Sequence, residues 1–157
     1  MGAVRRASVL LISLAILVAG CGSSDGGETP AACLASAATY LKALEAAPDS
    51  VRLAGETPIS GCLVKGQSAG DLENVGASLV RAATLLSAAA QKNPGGQQTL
   101  RLGYLVGAVQ SGASETSGIH TDLVRRIEAS ARYLKPRGTS SFDLAYARGY
   151  AAGRSGG

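Results

Sequence analysis

Three cysteines and one histidine are the side chains in this 157-residue chain best suited to covalent, metal-binding or acid–base chemistry: Cys21, Cys33, Cys62 and His120. They do not assemble into a reactive motif. Zinc takes four ligands, and a redox-active cysteine pair is normally separated by two residues, so neither site is written in this spacing. A Ser-His-acid triad would have to be built around His120, with Glu115, Asp122 and several serines near it in sequence. Those serines read as helix caps, and His120 as a partly exposed residue in the first turn of a helix. Glu28, Glu45, Glu56 and Glu73 are scattered, so no paired carboxylates converge as a glycosidase or di-iron centre requires. Gly95-Gly96 and the glycines at 149 and 153 neither follow a strand nor precede a Lys-Ser pair, which excludes a phosphate-binding loop. The expectation is a non-enzymatic protein with no cofactor and no metal. An enzyme acting through His120 is the most distant alternative.

Tyrosines offer a second kind of chemistry. Tyr104, Tyr146 and Tyr150, with Gln110 and Arg148, could line a small polar pocket between two helices and make the chain a small-ligand carrier. Packing in a core explains the same tyrosines, provided their hydroxyls find partners.

Cys21 stands apart because of what precedes it. In "LLISLAILVAGCGSSDGG" an apolar run ends at the cysteine and turns at once into a polar, glycine-rich stretch. Arg5 and Arg6, the apolar residues 9–19 and the small residues before Cys21 have the layout of a secretory signal, and the run is too short to span a bilayer, which takes about 20 apolar residues. Leu17, Val18, Ala19, Gly20 and Cys21 resemble the lipobox of bacterial lipoproteins. The resemblance implies cleavage after Gly20, a diacylglycerol on the Cys21 sulfur and often an acylated amino terminus, palmitate being the familiar acyl group. Two or three chains anchor a protein stably, since each buried methylene contributes about 0.8 kcal/mol and one chain is marginal. The implied location is the bacterial cell envelope, outside the cytoplasm. Residues 1–20 are then a signal peptide, 21–30 a flexible tether, 31–154 the folded domain and 155–157 a disordered tail.

An exported chain meets an oxidising compartment, so Cys33 and Cys62 are expected to form a disulfide. Without Arg5 and Arg6 the balance is 13 basic against 11 acidic residues, unevenly placed. From residue 124 onward seven basic residues face only Glu128 and Asp143, whereas 21–123 is net −3. A basic end could meet anionic headgroups, wall polymers or an envelope protein, while nucleic acid is excluded by compartment. The remaining domain is too small for a two-lobed solute-binding protein.

What must position these residues is helix nearly throughout, an all-α bundle of four to five helices with one disulfide-pinned irregular segment at 48–66. The first helix is expected over 31–46, with Leu34, Ala38, Leu41 and Glu45 marking its spacing. The second runs from a Ser68 cap to residue 92, with Leu72, Val75, Leu79, Ala82, Ala83, Leu86 and Ala90 inward. The third, 97–111, is apolar on most sides and belongs in the middle. The fourth, 117–135, turns Ile119, Leu123, Ile127, Ala131 and Leu134 inward and pairs Asp122 with Arg126 and Glu128 with Arg132. The fifth, from 140 or 141 to 153, aligns Phe142, Tyr146 and Tyr150. Small-residue ridges Gly103, Gly107, Ser111 and Ala145, Gly149, Gly153 predict close approach of the third and fifth helices.

Overall fold

The computed structural model describes residues 27–132 and 140–157, among which five α-helices are found. They are α1 (Ala37–Ala43), α2 (Ala69–Lys92), α3 (Gln97–Ser114), α4 (Thr121–Arg132) and α5 (Ser140–Gly156). Short 3-10 turns occupy Ala31–Leu34, Leu44–Ala46 and Ser60–Cys62. The only β feature among the described residues is an isolated bridge between Leu53 and Thr57. The fold is an all-α bundle.

Local chemistry explains where α2 begins and what it buries. The Ser68 hydroxyl accepts the Asp71 backbone N–H at 3.1 Å, satisfying a donor that the first turn leaves open. Val75, Leu79, Ala82, Ala83, Leu86 and Ala90 follow at helical spacing and are all buried, as expected. α3 is enclosed on nearly every side: residues 102–109 are buried without interruption. It touches α2, α4, α5 and the irregular segment, which places it at the centre.

α5 runs parallel to α3 with no side chains between the two ridges. A methyl group built on Gly103 would land on the Tyr146 carbonyl oxygen and lie 2.9 Å from the Tyr150 nitrogen. One on Gly149 would land on the Leu100 carbonyl oxygen, 3.0 Å from the Tyr104 nitrogen. Gly107 meets the Tyr150 and Arg154 main chain in the same way, and Gly153 that of Tyr104 and Ala108. Ser111 completes the ridge by donating its hydroxyl to the Arg154 carbonyl at 3.2 Å. The ridges face each other, and glycine is required because backbone meets backbone.

The irregular segment is pinned as expected. Cys33 and Cys62 are disulfide-bonded with Cα atoms 5.3 Å apart. Val51, Leu53, Ile59 and Leu63 are buried alongside, and Gly112 of α3 lies against the Ser60 main chain.

Several expectations need correction. The first helix is broken: Ala35 and Ser36 are extended, α1 starts at Ala37, and Cys33, Tyr40 and Leu44 are buried instead of Leu34, Ala38 and Glu45. The disulfide at Cys33 and the bond from the Tyr40 hydroxyl to the Cys33 carbonyl, 2.7 Å, set that register. α4 begins at Thr121, not 117, because Ser117 and Gly118 adopt positive φ of 56° and 90° and form a turn. Ile119 is therefore 44% exposed, not inward, while Leu123, Ile127 and Ala131 are buried. Asp122 pairs with Arg125 at 3.5 Å, not with Arg126, and both partners are exposed. α3 and α5 each run three residues further than expected, and Gly157 still donates to the Gly153 carbonyl at 3.0 Å, so 155–157 are not a disordered tail. Thr29 is buried, which ends the tether at residue 28. Cys21, Leu134, Lys135, Arg137 and the Arg132 side chain lie outside the described residues.

Candidate functional site

Polar side chains converge where α3 ends and α4 begins. His120, the residue before α4, is 0% exposed, which corrects the expectation of a partly exposed end residue. Its Nδ1 lies 2.8 Å from the Thr116 hydroxyl and its Nε2 2.7 Å from Gln67 Oε1. Gln67 Nε2 donates to the Thr29 hydroxyl at 2.9 Å and to the Cys62 carbonyl at 3.1 Å. Thr29, Gln67, Thr116 and His120 are all buried.

The carbonyl of Cys62 fixes the proton positions. A carbonyl only accepts, so the Gln67 amide nitrogen must face it and Gln67 Oε1 must face the ring. His120 Nε2 therefore carries a proton. In the neutral ring Nδ1 accepts from the Thr116 hydroxyl, which also lies 2.8 Å from the Ala113 carbonyl and has one hydrogen for the two acceptors. If the ring were charged, Nδ1 would donate to Thr116 and the hydroxyl would turn to Ala113. No carboxylate bonds to the ring, and burial holds its pKa below the usual histidine value.

This arrangement gives a pH dependence with a definite sign. The unfolded chain takes up a proton on His120 as pH falls through about 6.5 while the folded chain resists it, so stability is lost below that pH and is full above it. Denaturant midpoints measured between about pH 8 and about pH 5.5 are expected to fall for the native chain and to stay much flatter for His120→Gln. An unchanged slope in the variant would show that other groups carry the effect.

The tyrosines do not enclose a shared pocket. Tyr104 is fully buried and its hydroxyl accepts the Val51 backbone N–H at 3.3 Å, pointing it at the irregular segment. Tyr150 donates to Gln110 Oε1, and Gln110 Nε2 donates to Glu128, so these three tie α5, α3 and α4 together. Phe142, Tyr146 and Tyr150 stack along α5 with centroids 5.8 and 6.3 Å apart. Arg148 is exposed and lines an open cavity of about 320 Å³ with Gly95, Gln97, Ser141 and Leu144, at the far end of α3 from His120. Contact between the α3 and α5 main chains leaves no space for a ligand between the ridges.

An open groove of about 400 Å³ lies between the first turns of α2 and α4, lined by Leu72, Gly76, Ile119, Leu123 and Arg126. Among the described residues there is no cluster of three His, Cys, Asp or Glu side chains that could hold a metal ion, and no helix long and apolar enough to cross a membrane.

The chain matches no protein-family profile, no curated protein and no solved structure. The buried polar cluster therefore stands on its own geometry. Sequence reasoning missed Gln67, Thr29 and Thr116, because polar residues in irregular segments leave no periodic signal.

Proposed function

We propose that this chain is a lipoprotein of the bacterial cell envelope, held at the membrane by acyl groups on Cys21, whose helical domain is a non-enzymatic binding or scaffolding module. The observation that carries this reading is the sequence Leu17-Val-Ala-Gly-Cys21 at the end of a charged and apolar leader, followed by polar residues. Palmitate or a similar acyl chain is the expected modification. None of the described helices is long and apolar enough to cross a bilayer. The non-enzymatic part rests on His120, whose ring has no exposed surface and whose nitrogens are both engaged. The partner class is an envelope protein or an anionic polymer, met through exposed basic residues such as Arg125, Arg126, Arg148 and Arg154.

Cell fractionation tests the anchor. The native chain is expected in the membrane fraction and to incorporate labelled palmitate, and Cys21→Ser to lose the label and leave the membrane. A Cys21→Ser chain that stays firmly membrane-bound sinks the reading.

A further inference from the structure

The buried cluster around His120 also fixes where the anchor leaves the domain. Thr29 is held by Gln67, Gln67 by Cys62 and His120, and all of these sit beside the start of α2. The leash between Cys21 and the domain is therefore only residues 22–28. Even fully extended, the eight steps from Cys21 to Thr29 reach about 26 Å.

α2 rises from this end and has 24 residues. At 1.5 Å per residue it is about 36 Å long. The leash is shorter than the helix, so the bundle cannot turn over and set its far end on the bilayer. That far end is the α2–α3 connection, where Leu144 lines an open cavity with Gly95 and Gly96 and is 72% exposed. At the near end, the turn made by the positive φ of Ser117 and Gly118 holds Ile119 out beside the first turn of α2, 44% exposed. The charged side chains around this end are Glu28, Asp71, Glu73, Glu115 and Asp122 against Lys65, Arg125, Arg126 and Arg154, five acidic and four basic, and Arg126 lines the same groove as Ile119. This near-balance offers little net attraction to anionic headgroups, which leaves the contact to an apolar side chain.

We infer that the domain stands end-on at the bilayer that carries its anchor, with Ile119 seated in the lipid interface and the Leu144 end facing away. This rests on the lipid-anchor reading above. It also runs against what exposure alone would give, since Leu144 is the more exposed of the two.

The chain has no tryptophan, so a single one reports its own position. Ile119→Trp and Leu144→Trp would each be made in the full chain, purified from membranes and reconstituted in phosphatidylcholine vesicles containing brominated lipid. Ile119→Trp is expected to lose most of its fluorescence and Leu144→Trp to keep it. Equal quenching, quenching at Leu144→Trp alone, quenching at neither, or quenching that needs added anionic lipid would each overturn the orientation. Mass spectrometry of the same samples reads the anchor separately. If Cys21 carries no lipid, the anchor reading fails, and the orientation is still decided on the same chain coupled through Cys21 to a maleimide phospholipid, because Cys33 and Cys62 are bonded to each other.

Discussion

Gly149→Ala is expected to destabilise the domain by at least about 1–3 kcal/mol, although alanine is the better helix former by about 1 kcal/mol. The added methyl would occupy the place of the Leu100 carbonyl oxygen, and the obstacle is main chain, which cannot rotate aside as a side chain can. Relief requires α5 to move away from α3, which loosens contacts along the whole ridge, Gly103, Gly107 and Gly153 included. Gly107→Leu and Gly149→Leu should cost more again. Gly70 in the first turn of α2 supplies the control, since nothing lies within 4 Å of a methyl placed there. Gly70→Ala should leave stability unchanged or raise it by up to about 1 kcal/mol. The sign of the change in melting temperature decides the matter: a more stable Gly149→Ala would mean that the helices are not in backbone contact.

Removing the disulfide, with both Cys33 and Cys62 replaced by serine, is expected to lower stability by about 3.5 kcal/mol on the chain-entropy model, given a sequence separation of 29 between the two cysteines. Such a loss is a large share of a small domain's total stability of about 5–15 kcal/mol. The segment between them has no regular helix over most of its length and presses Val51, Leu53 and Ile59 into the core. The bond also holds the Cys62 carbonyl where Gln67 needs it. Denaturant midpoints of the oxidised chain and the double variant test this. A difference below about 1 kcal/mol would show that side-chain burial alone holds the segment in place.

In α2, α3 and α5 the periodic signal carried the structure. The Ser68 cap, the inward stripe of α2, the central place of α3 and the two facing glycine ridges all follow from spacing, because each is a repeat within one helix. The disulfide was legible because two cysteines have one way to pair. What escaped depends on distant partners. The first helix breaks at Ala35 because Cys33 answers to Cys62 and to the Tyr40 hydroxyl, which outweighs the apolar spacing of Leu34 and Leu41. His120 is buried because Gln67, 53 positions away, and Thr116 satisfy its ring, and nothing in the local sequence announces that Gln67 faces inward. Ser117 and Gly118 form a turn at positive φ, and that turn takes Ile119 off the α4 stripe. The tyrosines were placed on the right faces, but Tyr104 is directed by the Val51 N–H and so parts company with Tyr150.

The contact between α3 and α5 also has a thermal consequence. Hydrophobic burial weakens as temperature falls, since its driving force near room temperature is entropic. The leucines at 79, 102 and 105 belong to that kind of core. A seam of peptide groups in van der Waals contact draws instead on dispersion, an enthalpic attraction that is small for each atom pair and does not fade in the cold. The backbone seam between α3 and α5 is therefore expected to lose less on cooling than apolar burial of the same extent.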